Sequence, residues 1–243
     1  DYGGAWGLAG AALEAHPDSL EVVTSYILVG NSLDKLRGAI AEVDRWNGGE
    51  NSVASHHARA WAAALWGNYR ESLVEAGKAR ALSQKVPFEV RRVELLARRL
   101  NPKSDGAAVL RDYDALVADY PDVGLAHLSR LNSANLLPEG RSRLPKLMEI
   151  ALAAKDRAPQ TWVMAAGIKQ DAFWFDARDA LALIDRGLAE FPDHSELAVR
   201  RLLYLRKLGR TQEALDYCLK LHDGAPNHGD FVILSLIHIS EPT

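Results

Sequence analysis

The sequence lacks the cysteine pairs that cross-link a small secreted domain and the long apolar stretch that anchors a chain in a membrane. Its single cysteine, Cys218, cannot form a disulfide within the chain. No stretch approaches the roughly 20 consecutive apolar residues that a membrane-spanning helix needs. The formal net charge is only −3, so electrostatics gives no reason to expect binding to nucleic acid. With 48% hydrophobic residues among 243, the composition predicts a folded protein with an extensive core.

Motifs that carry catalysis are also missing. The sequence contains no G-x-S-x-G, no H-E-x-x-H and no P-loop. The glycine-rich segment Gly3–Gly10 lacks the G-x-G-x-x-G order and a preceding strand, so it does not predict a phosphate-binding loop. Acidic residues are scattered in the manner of helix-surface charges, with no isolated pair in an apolar setting. We therefore predict no catalytic residue, no cofactor and no metal, and a protein that is not an enzyme.

Two local groups of histidine and cysteine need an interpretation. Cys218 and His222 share one helix face and His228 follows, but a structural zinc site needs four ligands and no clear fourth is near. The favoured interpretation places Cys218 in the core as a small hydrophobe. His56 and His57 are adjacent, so on a helix they point about 100° apart and cannot share a metal. We expect one of these two histidines at a solvent-facing edge.

Proline positions reveal the organisation of the chain. The intervals between six of the ten prolines are 70, 34, 38, 33 and 34 residues, and 70 is twice 35. Each of the six follows an apolar-periodic helix end, because proline lacks an N–H and clashes with the preceding turn. These prolines are Pro17, Pro87, Pro121, Pro159, Pro192 and Pro226. A period near 34 residues indicates a helical repeat architecture.

The segment from 193 to 226 shows the content of one repeat. Ser195 is predicted as the N-cap of its first helix, whose apolar stripe includes Ala198, Leu202 and Leu205. Gly209 permits a tight turn into a second helix. The unit thus predicts two antiparallel helices.

This unit resembles the tetratricopeptide repeat, which has a glycine before its second helix, a small residue five positions later and a closing proline. Gly209, Ala214 and Pro226 occupy those places. In the unit that ends at Pro87, Gly67 and Ser72 occupy the first two, and Tyr69, Leu73 and Ala79 also fit the pattern. The resemblance implies an all-α fold, a right-handed α-solenoid of antiparallel helix pairs. Among the six tryptophans, packing between repeats is favoured over a groove-lining role.

The domain organisation follows from this period. Residues 1–233 are predicted to form one solenoid of about six helix-pair repeats, and residues 234–243 a non-native tail. The tail, LSLIHISEPT, breaks the helical spacing and resembles a translation of the adapter DNA of transposase-based sequencing libraries. Because the chain also begins with Asp1, we expect a fragment. The predicted repeats close near Pro17, Asn51, Pro87, Pro121, Pro159, Pro192 and Pro226.

The resemblance also implies a function, because first helices line a concave groove in tetratricopeptide arrays. We expect a non-catalytic scaffold that binds a protein or peptide partner. Two arginine clusters, at 91–99 and 200–210, are either a solvated, ion-paired face or groove contacts that attract an acidic partner. The residues predicted to contact the partner are His127, Arg130, Lys169, Leu203 and Arg206.

Two alternatives stay open at this point. The chain could be the repeat region of a larger bacterial enzyme of the glycosyltransferase or sulfotransferase type, or a factor in envelope polysaccharide export. In both cases the active part would lie outside this sequence. The cytoplasm is favoured over the periplasm, although a leader upstream of Asp1 would reverse this preference.

Overall fold

A computed structural model describes residues 2–170 and 176–224. Among these residues all regular structure is helical, which confirms the predicted all-α class. The chain divides into two compact units, Asp1–Tyr120 and Pro121–Thr243. The helices of the first unit are α1 Tyr2–Ala15, α2 Leu20–Ser32, α3 Leu36–Trp46, α4 Val53–Leu65, α5 Tyr69–Ala81, α6 Phe88–Leu100 and α7 Gly106–Asp119.

The second unit continues the same alternation with one irregularity. A 3₁₀ helix, Pro138–Arg143, is inserted between its first two α-helices. The α-helices of this unit are α8 Gly124–Leu136, α9 Leu144–Ala153, α10 Pro159–Ile168, α11 Ala177–Glu190, α12 Ser195–Lys207 and α13 Thr211–Gly224. None of the described helices is long and apolar enough to cross a membrane.

Helices pack as successive pairs within each unit. In the first unit α4 contacts its partner α5 and also α2 and α6, the first helices of the neighbouring pairs. In the second unit α10 likewise contacts α11, α8 and α12. Contact between every second helix, in addition to sequential contact, is the pattern of a tetratricopeptide-like helical repeat.

The turns inside the helix pairs depend on local backbone chemistry. Gly67 and Gly209 adopt φ of 77° and 71°, a left-handed conformation that glycine reaches without steric cost, so the predicted turn at Gly209 is confirmed. The predicted N-cap of α12 is wrong by one position. His194 caps this helix, because its Nδ1 accepts from the backbone N–H of Leu197 at 3.4 Å, and Ser195 is the first helical residue.

The core of the first unit is centred on α4, where ten of thirteen residues are buried. Small side chains and contacts with α2, α3, α5 and α6 leave little of this helix exposed. His56 and His57 are therefore both buried, and the expectation that one would face solvent is wrong. The position of a residue on one helix face does not predict exposure when neighbours cover every face.

In the second unit, two glycines lie so close to another segment of main chain that a side chain would not fit. A Cβ on Gly124, the first residue of α8, would lie 1.5 Å from the carbonyl oxygen of Asp156. A Cβ on Gly140, in the 3₁₀ helix, would lie 2.4 Å from the Cα of Ala134. At both positions the two segments of main chain lie closer together than any residue with a Cβ would allow.

Candidate partner-binding groove

The second unit contains a groove with a volume of about 590 Å³. Its lining comes from α8, the 3₁₀ helix, α9, α10 and α12, so that it lies along the first helices of three successive pairs. Apolar groups are supplied by the buried Leu144 and Ile168 and the half-buried Val163 and Met164. A volume of this size is within the range of ligand-binding clefts.

Gly167 is the one described lining residue of the groove that has no side chain. It lies near the end of α10, and a Cβ built on it would meet nothing within 4 Å. A glycine inside a helix costs about 0.5–1 kcal/mol relative to alanine. Neither a close backbone contact nor a positive φ requires glycine here. A side chain at this position would therefore change the groove without disturbing a close packing contact.

Polar groups surround the apolar lining. The 3₁₀ helix brings Arg141 to the groove, and Asn135 and Gln160 contribute side-chain amides. Arg200 and Glu196, one turn apart on α12, form an exposed ion pair with 3.7 Å between Nη2 and Oε1. Apolar surface with amide and guanidinium groups around it suits a peptide, which offers side chains, backbone carbonyls and carboxylates.

The five residues predicted to contact a partner are close in sequence to residues that line this groove, but none of the five lines it. His127 is buried, with Nε2 2.7 Å from the carbonyl oxygen of Pro121. Lys169 pairs with Asp179 of α11 at 3.2 Å. Leu203 is 43% exposed, Arg206 is exposed and Arg130 is half-buried. Helical spacing alone could not distinguish these positions from Gln160 or Gly167.

Both arginine clusters form ion pairs. In the first cluster Arg91 pairs with Asp119, and Arg98 pairs with Glu94 at 2.7 Å and Asp112 at 2.9 Å. These pairs are the ion-paired face that the sequence offered as one of two interpretations.

The second cluster includes an ion pair of Arg201 with Asp185 at 2.8 Å. The guanidinium of Arg201 also lies 4.4 Å from the ring centre of Tyr217, a cation–π distance.

The expectation that acidic residues lie on helix surfaces fails at two positions in the first unit. Glu75 and Glu94 are 4% and 9% exposed. The Glu75 carboxylate lies 2.6 Å from His56 Nδ1 and accepts from Lys78 Nζ at 2.6 Å. Burial disfavours its charged form, but the hydrogen bonds from Lys78 and His56 outweigh burial and lower its pKa.

His57 is a second buried polar group of the first unit. Its Nε2 lies 2.8 Å from the hydroxyl of Thr24. Complete burial, aided by the positive charge of Arg92, lowers the pKa of His57 to about 3. The Arg92 guanidinium lies 5.0 Å from the ring centre of Trp61 and pairs with Glu89 at 3.0 Å. His57 therefore stays neutral inside the fold.

Several predicted features fall at the edge of what the structure describes. Cys218 is fully buried, in agreement with a core role, and burial raises the pKa of its thiol. The side chain of His222, together with His228, Trp174, Pro226 and the tail 234–243, lies outside the described residues. Within the described residues no group of histidine, cysteine and acidic side chains could hold a metal ion.

Comparisons with known proteins find similarity among solved structures. The chain is similar to a chain in the solved structure of Naa15/Naa10 bound to HypK-THB, at 17% identity and a TM-score of 0.47. The match covers 97% of this chain and spans 36% of the other. A likeness at this level carries no argument about this chain. No family model and no curated protein matches the sequence.

Proposed function

We propose that this chain is a non-catalytic scaffold of the tetratricopeptide type that binds a peptide segment of a protein partner in the groove of its second unit. The observation that carries the proposal is the groove along α8, α10 and α12, in whose lining Gly167 has no side chain. An open, partly apolar groove along three successive first helices suits an extended or helical peptide.

We further propose that the partner segment carries a carboxylate. Arg141 and Arg200 are the cations of the groove, and Glu196 is its one carboxylate among the described residues. Arginine can donate two hydrogen bonds to a carboxylate in one plane. Leu203 follows Arg200 by three residues on α12, so it would extend the contact surface along the same face, with Arg206 beyond it.

Roles for the other predicted residues can be proposed from their surroundings. His127 would hold the start of α8 against the segment before it, through its contact with Pro121. Lys169 would fix the end of α10 to α11 through Asp179, and Arg130 would flank the groove on α8. In this view they support the groove and contribute little direct binding energy.

A peptide library displayed on phage and selected with the whole chain tests the proposal. Selected peptides should share an acidic residue or a free C-terminus next to apolar residues. Gly167→Leu should fill the groove and weaken binding of a selected peptide at least about tenfold, as several lost side-chain contacts would. Gly38→Leu is the matched control, because Gly38 is also helical and a Cβ there meets nothing within 4 Å. Equal affinity of both variants and the parent would contradict the proposal.

We also propose that residues 1–233 form the solenoid of about six repeats and that the segment from 234 to 243 is a translated sequencing adapter. The residues described in the lining of the proposed groove all lie between 135 and 200, outside this segment. A chain that ends at Ile233 should therefore bind a selected peptide with unchanged affinity and unfold at the same temperature. The genomic reading frame should diverge from this sequence after Ile233.

A further inference from the structure

A second cleft, with a volume of about 620 Å³, lies within the first unit and is lined by charged side chains. Its walls come from the end of α5, the segment between α5 and α6, α6 itself, and α7. The four cations of the lining are Arg80, Lys85, Arg91 and Arg98. Its three carboxylates are Glu94, Asp112 and Asp119.

Ion pairs hold the three arginines in place. The buried carboxylate of Glu94 accepts from both Arg80 and Arg98, and Arg98 also reaches Asp112 at 2.9 Å. Arg91 donates to Asp119 through Nη1. A guanidinium has five N–H donors, and Arg80 uses only Nη2 in these bonds. The arginines are therefore fixed by the protein yet retain donors for a ligand.

Lys85 supplies a charge that the cleft does not neutralise. It is exposed, and no carboxylate of the described chain forms an ion pair with it. Four bases therefore face three acids, which leaves one positive charge in excess. A concave, partly desolvated surface concentrates the field of such an excess charge and attracts anions.

The remaining lining is apolar and rigid. Val86, Leu95 and Ala115 line the cleft together with the ring of Tyr120. The Tyr120 hydroxyl donates to the carbonyl oxygen of Val86 at 2.9 Å, and its ring lies edge-on to Phe88 with 5.3 Å between centres. The volume is far larger than a lone ion needs, so a suitable ligand has an anionic group and an organic body.

We propose that this cleft binds a phosphate monoester carried on a small organic group. Lys85 would neutralise one charge of the phosphate, and the spare N–H groups of Arg80 and Arg91 would donate to its oxygens. A dianion with three terminal oxygens can accept from several separated cations at once, which a single carboxylate, with two oxygens and one charge, does less well. The body of the ligand would pack on Tyr120 and Val86. This inference is independent of the groove proposed in the second unit.

Isothermal titration calorimetry with the whole chain tests the proposal with two probes. Adenosine monophosphate and a short phosphoserine peptide are each compared with the same compound without phosphate. At least one phosphorylated probe should bind detectably tighter than its counterpart, and the better one identifies the source of the phosphate. Equal binding of both phosphorylated probes and their counterparts would overturn the proposal.

Variants then locate the site. Lys85→Gln should weaken the phosphorylated probe about tenfold, since a charged hydrogen bond is lost. Asp112→Asn removes a competing negative charge and should strengthen binding by about threefold, the size of an exposed charge interaction. Lys103→Gln removes an exposed lysine that does not line the cleft and should change nothing. If Lys85→Gln and Lys103→Gln had the same effect, the cleft would not be the site.

Discussion

The two units are built from the same helix pairs but contain different kinds of interior. The first unit holds every buried carboxylate of the described residues, Glu75 and Glu94, together with the buried His56 and His57. In the second unit the buried polar side chains among those described are His127, Ser133 and Thr161. One repeat architecture thus tolerates both an ionic and a mainly neutral interior, because each helix needs complementary groups only on its immediate neighbours.

The clefts differ in the same way as the interiors. The cleft of the first unit has seven charged residues in its lining, and the groove of the second unit has three. A cleft with many charges selects ligands mainly by charge, whereas a groove with few charges selects them mainly by shape, hydrogen bonding and buried area. The difference teaches that repeat number and helix spacing do not determine what a helical repeat binds.

The largest expected effect concerns the second unit, whose close packing depends on a glycine. Gly124→Ala places a Cβ 1.5 Å from the carbonyl oxygen of Asp156, so α8 and the segment before α10 must separate. We expect a loss of about 4 kcal/mol or more in the free energy of unfolding, the range of severe steric substitutions. Urea unfolding followed by circular dichroism measures it. Gly167→Ala in the same unit is the control, and comparable stability of the two variants would contradict the packing.

The second prediction concerns the ionic interior of the first unit. Glu75→Gln removes the charge of a buried carboxylate that lies within hydrogen-bond distance of His56 and Lys78, and it should cost about 2 kcal/mol, because hydrogen bonds to a charged group become weaker neutral ones. Glu71→Gln is the control, since Glu71 is exposed on the same helix and should change stability by less than about 0.5 kcal/mol. The free energy of unfolding in urea checks both. If the two variants were equally stable, the buried ion pair would contribute nothing.

The third prediction gives the first unit a dependence on pH. His57 has a pKa of about 3 in the folded state and about 6.5 when unfolded, so between these values the unfolded chain binds the extra proton. Stability should fall as pH falls from about 6.5, with a limiting slope of about 1.4 kcal/mol per pH unit. Glu75 has a lower pKa in the folded chain than in the unfolded chain, so its contribution to stability is lost only as pH falls below the pKa of an unfolded carboxyl. Above pH 5 this contribution therefore stays nearly constant.

Unfolding in urea at pH 7.0, 6.0 and 5.0 measures this slope. In His57→Gln the amide can still bond to Thr24 but cannot titrate, so the slope should be reduced in that variant. An unchanged slope in His57→Gln would assign the acid sensitivity to other groups.

The smallest expected effect should be the same in both units. Gly77 in α5 and Gly167 in α10 are helical glycines whose added Cβ meets nothing within 4 Å. Gly77→Ala and Gly167→Ala should each stabilise the chain by about 0.5–1 kcal/mol through lower entropy of the unfolded state. Thermal unfolding measures the gain. A loss of stability in either variant would show that the glycine has a packing role.

Much of the fold could be predicted from the sequence, because helix breakers and helical periodicity are local signals. Gly209 was predicted to make a turn and does so, with φ of 71°. The predicted N-cap of α12 is wrong by one residue, because serine is a preferred N-cap residue and histidine is not. His194 nevertheless caps the helix, and Ser195 follows it. Burial of His56 and His57 was missed, because it depends on helices that contact α4 from four other parts of the chain.

The clefts could be predicted only in part. The resemblance predicts a partner groove along the first helices, which stays a prediction; the cavity of the second unit is lined in part by three first helices, α8, α10 and α12. The particular residues were not found, because a 3₁₀ insertion brings Arg141 to the groove and no helical spacing specifies that placement. Gly167 was the available signal, a glycine within an apolar helical segment with no turn to explain it.

The contact between Gly140 and Ala134 determines which residues of the 3₁₀ helix can be substituted. The 3₁₀ helix that carries Arg141 packs against the main chain of α8, so α8 determines its position. Pro138, Glu139 and Ser142 are exposed, whereas Gly140 is buried with no room for a side chain. A substitution at 141 would thus alter the chemistry of the proposed groove while the 3₁₀ helix that presents this position stays in place.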